Sequence, residues 1–422
     1  MKLLYLGFVL VLSFGLLAQE EKSLQDYYTA ATEAYTAKNY EAFLENIRKA
    51  DEMRPNHPAI VPKLAAAWAL TGRKIRSIQK LNQMLLMDAT FNFTDNPDFD
   101  NIRTHKNYKR VIALQARLTE EEVNDEVYKT IDVGHLHPES FVILQNGEML
   151  LGSVREKKIV KVGLDGRVTD WLETPYAVLG MKADFARGNL WVSTAAMPEM
   201  KGFEQADHGK SVVLQIELST GQIIQGISYD EESIIGDLEV DQENRLWLSN
   251  SMTPFLSRDN TDTTDYLGAF NRKQFDLSDG YFNLQGLTLT DDENYLYVSD
   301  YIKGLFRIDI NDTDIDDVFA PETSLLKGID GLYYYNNSLI AVHNGTKPYR
   351  IVQYFLNASG LNIESERVIN RGGASLGEPT LGQVKDGYFY YLANSPWQAY
   401  DQEKNFDLTK VKPIEIRRFK LD

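Results

Sequence analysis

One strand pattern recurs six times between Glu139 and the C-terminus, and it constrains the fold more than anything else in the chain. Each copy has a polar or acidic start, an apolar alternation, a turn rich in Asp, Asn or Gly, and a short aromatic-containing strand. The copies are ESFVILQNGEMLLGSV from Glu139, MKADFARGNLWVSTA from Met181, DLEVDQENRLWLSNS from Asp237, QGLTLTDDENYLYVSD from Gln285, DGLYYYNNSLIAVHNG from Asp330 and EPTLGQVKDGYFYYLAN from Glu378. Their starts lie 42, 56, 48, 45 and 48 residues apart. A third strand often follows, as at Gly304–Ile310 and Tyr349–Gly360. Such spacing gives one four-stranded sheet per copy, and six sheets around an axis make an all-β six-bladed propeller. Radial closure hides the sheet edges that would otherwise aggregate. The terminal stretch Ile414–Asp422 is expected to close the ring with the first blade. The insertion between Ser249 and Tyr281, rich in Asp, Thr and Ser, reads as a surface loop or lid.

The chain ahead of this region is different. Residues 1–19 carry Lys2 and then an apolar run from Leu3 to Ala18, too short to span a bilayer, which reads as a signal peptide. The expectation is an exported protein, periplasmic or secreted, with no membrane span after cleavage. Residues 23–118 read as all-α, with Gly only at Gly72. Tyr27, Ala31, Tyr35, Phe43, Ile47, Ala50 and Pro55 return 34 residues later as Val61, Ala65, Ala69, Ser77, Leu81, Met84 and Ala89. This period and its small residues resemble tetratricopeptide repeats, which implies a protein partner for the helical module. Phe43 and Ala89 depart from that pattern. Asn96–Ile112 looks like a closing helical unit. The expected organisation is therefore multi-domain: signal peptide 1–19, helical module 23–118, linker 119–129 and propeller 130–422.

Charge and composition narrow the function. A formal net charge of −17 argues against a nucleic-acid partner, which needs a basic face. With no cysteine, thiol nucleophiles, disulfides and Cys-ligated metals are excluded. There is no Gly-rich phosphate loop and no Ser nucleophile elbow. Trp191 and Trp247 occupy matched repeat positions and read as core.

In a propeller the innermost strands start around one channel mouth. Here those starts are Glu139, Met181 (or Asp184 in another register), Asp237, Gln285, Asp330 and Glu378. Such a set of hard oxygen donors suits a divalent cation, Ca²⁺ foremost, with Mn²⁺ or Zn²⁺ as alternatives. His135, His137 and Glu139 would share a face on a strand, although a pre-strand loop with surface histidines is the simpler reading. His343-Asn344 sits at a blade turn that faces either the mouth or solvent.

The β region, from about Thr130 to Asp422, resembles the senescence marker protein 30/gluconolactonase family, and more distantly the paraoxonases. The resemblance rests on PES at Pro138–Ser140, QGL at Gln285–Leu287, IDGL at Ile329–Leu332 and the His343-Asn344-Gly345 turn. It implies metal ligands Glu139, Gln285 and Asp330, with Gln285 one methylene longer than the family's Asn. The family's substrate-binding Asn-Asp falls on Gly236-Asp237, so only the Asp is kept, and an accompanying Arg is replaced by Ile. The implied function is a metal-dependent hydrolase, foremost a lactonase, acting on a small lactone or ester. Asp330 would serve as ligand and base and Asp237 would orient substrate, with Glu378, His343 and Asn344 lining the substrate site. The alternative is a non-catalytic propeller that binds a protein or glycan.

Overall fold

A computed structural model describes residues 22–229, 232–264, 270–374 and 376–422. The signal-peptide reading of residues 1–19 lies outside them. Five helices come first: α1 (Leu24–Thr36), α2 (Tyr40–Met53), α3 (Val61–Leu70), α4 (Lys74–Met87) and α5 (Tyr108–Thr119). Ser23 opens α1 with a capping box, its side chain accepting from the Asp26 N–H while the Asp26 carboxylate accepts from the Ser23 N–H. Small residues set the α3–α4 approach: buried Ser77 donates to the Ala65 carbonyl at 2.9 Å.

Six antiparallel sheets follow. Their inner strands are Pro138–Ile143, Ala177–Asp184, Ile235–Val240, Leu284–Leu289, Ile329–Tyr335 and Gly382–Lys385, defining blades 1 to 6. Hairpins join successive strands. Asn336-Asn337 and Asp386-Gly387 are two-residue loops with positive φ at both positions, which matches strand twist and favours Asn, Asp and Gly. Trp191 and Trp247 are fully buried between blades.

Ring closure differs from the sequence expectation. The C-terminal strand Ile414–Lys420 belongs to blade 6 rather than blade 1, and pairs on its outer side with Glu126–Ile131. The stretch expected to be a linker is therefore structural. Glu122–Val123 adds a fifth strand to blade 5, and the buried Asp125 side chain accepts from Arg417 at 2.9 Å and Asn370 at 3.1 Å. The insertion expected to be a loop also carries strands, Phe255–Thr264 and Phe270–Asp276, which complete blade 3.

The helices dock on the face where the inner strands begin. Ala89 N–H donates to the Lys347 carbonyl at 2.7 Å, Lys347 N–H to the Met87 carbonyl at 2.9 Å, and Arg350 Nη2 to the Leu86 carbonyl at 2.5 Å. Leu325 of the propeller is buried in the same apolar cluster as Leu85, Phe93 and Val111. The helical module thus sits beside the channel mouth, on the loop that carries Asn344.

Candidate functional site

A β-bulge near the start of each inner strand shapes the mouth in blades 1 to 5. The register breaks between Pro138 and Ser140, Val178 and Met181, Ile235 and Asp237, Leu284 and Leu287, and Ile329 and Gly331. The residues pushed out of register are Glu139, Leu179-Gly180, Gly236, Gln285-Gly286 and Asp330. Bulges re-aim side chains, and these five deliver two carboxylates and a carboxamide to one place. In blade 6 Glu378 precedes the strand and is held by a bridge to Ser395.

The result is a cavity of about 310 Å³ lined by Glu139, Gln285, Asp330, Asn344, Glu378 and Asp237, with Leu179, Met197, Ile234 and Leu381 as apolar wall. Glu139 and Asp330 of the upper rim are each anchored through one oxygen. Glu139 Oε2 accepts from Trp397 Nε1 at 2.8 Å and Ser395 Oγ at 3.2 Å. Asp330 Oδ2 accepts from Asn344 Nδ2 at 2.7 Å, and Asn344 Oδ1 in turn accepts from the Tyr301 hydroxyl at 3.0 Å. Glu378 Oε2 accepts from the Tyr349 hydroxyl at 3.4 Å. The other oxygen of Glu139 and of Asp330 has no donor among the described residues, whereas the Glu378 carboxylate also accepts from the Gln398 side chain, and no Lys or Arg lines the cavity. Gln285 Nε2 is tied to Asn283 Oδ1 at 2.8 Å, so its Oε1 is the end presented to Ser251 Oγ, at 3.2 Å. A Cβ at Gly236 would lie 2.7 Å from Ser251 Oγ and 3.5 Å from Gln285 Oε1. Glycine there leaves the room that the longer Gln285 uses.

The electrostatics follow from burial without a counter-charge. Burial, then the Asp330 and Glu378 carboxylates, push Glu139 well above the usual carboxylate range. Burial and then Glu378 raise Asp330 to about 7. Glu378 is raised by burial. Asp237, one residue past its bulge, sits lower and lines a second chamber of about 230 Å³ further down the channel. Burial lifts it to about 7, against the Leu238 N–H that donates to its Oδ1 at 2.9 Å. The lower chamber holds an ion pair between Lys182 and Glu239 at 2.5 Å.

Of the residues expected at the mouth, Glu139, Asp237, Gln285, Asp330, Asn344 and Glu378 come together. His343 does not. It is fully buried inside blade 5, with Nδ1 at 2.9 Å from the Lys327 carbonyl and Nε2 at 2.9 Å from the Tyr354 hydroxyl. Strand alternation turns it away from Asn344, its neighbour at the mouth. Met181 and Asp184 are also elsewhere, because the blade 2 strand begins at Ala177 and Leu179 takes the rim position. His135 and His137 do not share a strand face. They sit in a tight turn where His137 has φ 53°, is buried against Trp397 and Tyr400, and is pushed down to about 3 by desolvation. Sequence reasoning missed Trp397, Tyr301 and Ser395; Trp397 belongs to no repeat, whereas Tyr301 follows Asp300 as Asn344 follows His343, a matched position that could have found it.

The donor set is hard oxygen throughout, which suits Ca²⁺ over a softer metal. Among the described residues no three carboxylate or imidazole side chains converge closely enough to hold an ion alone. An ion at this mouth would therefore draw on Gln285 Oε1 and water beside Glu139 and Asp330.

The fold and the mouth define a class: a six-bladed propeller with an acidic, buried channel opening. No protein-family model matches the chain, and no curated protein sequence matches it. Several solved structures are similar to it. An aldose sugar dehydrogenase from Streptomyces coelicolor, in its PQQ-bound form, shares 13% identity over 71% of this chain and 98% of its own, with a TM-score of 0.47. Virginiamycin B lyase from Staphylococcus aureus shares 12% over 71% and 100%, at 0.46. A luciferin-regenerating enzyme shares 13% over 71% and 95%, at 0.46.

Proposed function

We propose that the channel mouth binds a divalent cation, Ca²⁺ foremost, and hydrolyses a small lactone or ester. The observation that supports this is the pair Glu139 and Asp330, each with one carboxylate oxygen anchored and the other without a protein donor among the described residues, beside Glu378 in a cavity with no basic lining. A bound cation would supply carbonyl polarisation and charge for a developing oxyanion. Glu139, Asp330 and Gln285 would hold it. Trp397 and Ser395 fix the Glu139 carboxylate, and Asn344 fixes Asp330. Asp237, raised to about 7, is partly ionised at neutral pH and accepts a proton from water at the cavity floor. Leu179, Met197, Ile234 and Leu381 exclude bulk water and receive the apolar part of the substrate. In this reading the signal-like N-terminus makes the enzyme an exported one.

That no three acidic or imidazole side chains among the described residues could hold an ion together favours a second reading, a propeller that binds a ligand or protein without chemistry. Hydrolysis of γ- and δ-lactones and aryl esters by the full chain, with Ca²⁺ or with chelator, separates the two. The hydrolase reading expects Ca²⁺-dependent turnover that falls by about 100-fold or more in Asp237→Asn. No turnover at saturating Ca²⁺ leaves the binding reading.

A further inference from the structure

The turn at 344–349, which joins the second and third strands of blade 5, is held differently from its counterparts at the mouth. In blades 1, 3 and 4 the residue that ends the second strand ties the turn that follows it. Ser153 Oγ accepts from the Glu156 N–H at 2.9 Å, Asn250 Oδ1 from the Met252 N–H at 3.0 Å, and Asp300 Oδ1 from the Ile302 and Lys303 N–H groups at 2.8 and 2.6 Å. In blade 5 that residue is His343, and its ring nitrogens are engaged by the Lys327 carbonyl and the Tyr354 hydroxyl. The turn leans instead on the helical module.

The last carbonyls of a helix have no donor within it. At the end of α4, the Leu86 carbonyl accepts from Arg350 Nη2 at 2.5 Å and the Met87 carbonyl from the Lys347 N–H at 2.9 Å. The Ala89 N–H returns a bond to the Lys347 carbonyl at 2.7 Å. Gln115 of α5 holds this segment from the helical side, donating to the Ala89 and Phe91 carbonyls at 2.9 Å. Arg350 is only 7% exposed, and no carboxylate pairs with it among the described residues. Its charge meets the negative end of the α4 dipole instead. Both ends of the turn reach the rim: Asn344 donates to Asp330 Oδ2 at 2.7 Å, and the Tyr349 hydroxyl meets Glu378 Oε2 at 3.4 Å. A Cβ at Gly345 would lie 2.5 Å from Gly328 Cα and 2.6 Å from the Tyr301 hydroxyl, so the turn has no slack against the strand that carries Asp330.

We propose that the helical module sets the geometry of the channel rim through this turn, with Arg350 as the positioning residue. Asn344 and Tyr349 aim Asp330 and Glu378, and the end of α4 holds Asn344 and Tyr349 in place. Displacing α4 from the turn therefore lowers the affinity of the rim for its cation. This inference rests on the cation reading of the channel.

The test is calorimetric titration of the full chain with Ca²⁺. Arg350→Met keeps a buried apolar stem and removes the tie to α4, and should weaken binding by about tenfold. Arg350→Lys keeps a cationic donor for the Leu86 carbonyl and should restore most of the affinity. Gln115→Leu loosens the junction from the helical side and should weaken binding by about threefold. Arg307→Met is the stability control, since this buried arginine of blade 4 is held by Asp316 and the Ser359 carbonyl, and it should bind Ca²⁺ as the wild type does. In a background carrying Asn344→Ala and Tyr349→Phe, adding Arg350→Met should change affinity by less than about twofold, because the path to the rim is already cut. Melting temperature confirms that each variant is folded. A wild type that binds no Ca²⁺ overturns the cation reading and this inference with it. A wild type that binds, with Arg350→Met and Gln115→Leu binding alike to it, overturns this inference alone. So does an Arg307→Met protein that loses as much affinity as Arg350→Met, or an Arg350→Met effect that persists in full in the Asn344→Ala, Tyr349→Phe background.

Discussion

Replacing Asp237 by Asn should stabilise the metal-free protein at alkaline pH while removing activity. Asp237 is half-buried between the two chambers, and desolvation raises its pKa to about 7 against an ordinary value of 3.8. The folded state therefore holds this proton more tightly than the unfolded chain does. Stability from this group is complete below about pH 4 and is lost as pH rises through about 7. The shift corresponds to on the order of 4 kcal/mol withheld at about pH 8. Asparagine removes that cost, but it offers one acceptor where the carboxylate serves both Leu238 N–H at 2.9 Å and Leu287 N–H at 3.4 Å. Losing the weaker bond costs about 1 kcal/mol, so the net gain at about pH 8 is roughly 3 kcal/mol. At about pH 4 the wild-type side chain is also neutral, and the variant should be level or slightly less stable. Urea denaturation of both proteins in chelator, from about pH 4 to about pH 8, reads the difference. Glu139 and Asp330 titrate in both proteins, so the difference isolates Asp237. The reasoning is refuted if Asp237→Asn loses as much stability at the alkaline end as at the acidic end.

Three further outcomes follow from the packing. Trp191 and Trp247 occupy matched positions, yet Trp247 Nε1 donates to Asp241 at 3.1 Å while Trp191 Nε1 is buried without a partner. Trp247→Phe should cost about 1–2 kcal/mol more than Trp191→Phe in chemical denaturation. Truncating the chain before residue 120 should leave a soluble propeller, whereas truncating before residue 132 removes the strand Glu126–Ile131 and the Asp125–Arg417 pair and should yield aggregate, checked by size-exclusion chromatography. Leu325→Asp buries a charge in the apolar cluster shared with α4 and α5 and should cost about 3 kcal/mol or more. Limited proteolysis should then release the helices before the propeller is cut.

Much of this architecture could be read from residue order. The six repeats carried the blade count, because alternation with a period of two and turns of Asn, Asp and Gly leave few other solutions. Pairing partners were less legible. Glu126–Ile131 and Ile414–Lys420 are far apart in the chain, Glu126 and Arg418 by 292 residues, and nothing local says which blade they share. The same limit applied at the mouth. Glu139, Gln285 and Asp330 were found because polar residues at strand starts stand out, but the bulges that aim them leave no periodic signal. Without the bulge at Gly236, Asp237 reads as a rim residue, when it lies between the two chambers. His343 read as a mouth residue because it adjoins Asn344, and strand alternation separates the two. Trp397 follows the last inner hairpin in a short helical turn, Trp397–Ala399, that belongs to no repeat.

The central claim is that the oxygen rim of the channel takes a cation, and calcium titration followed by thermal unfolding tests it most directly. The account predicts that the wild type binds a single Ca²⁺ per chain and that its melting temperature rises with Ca²⁺ concentration, since a ligand bound only by the folded state must stabilise it. Asp330→Asn keeps the shape and an acceptor for Asn344 Nδ2, and should neither bind nor respond. A wild type that shows no bound ion and no shift, or an Asp330→Asn protein that responds as the wild type does, would contradict it.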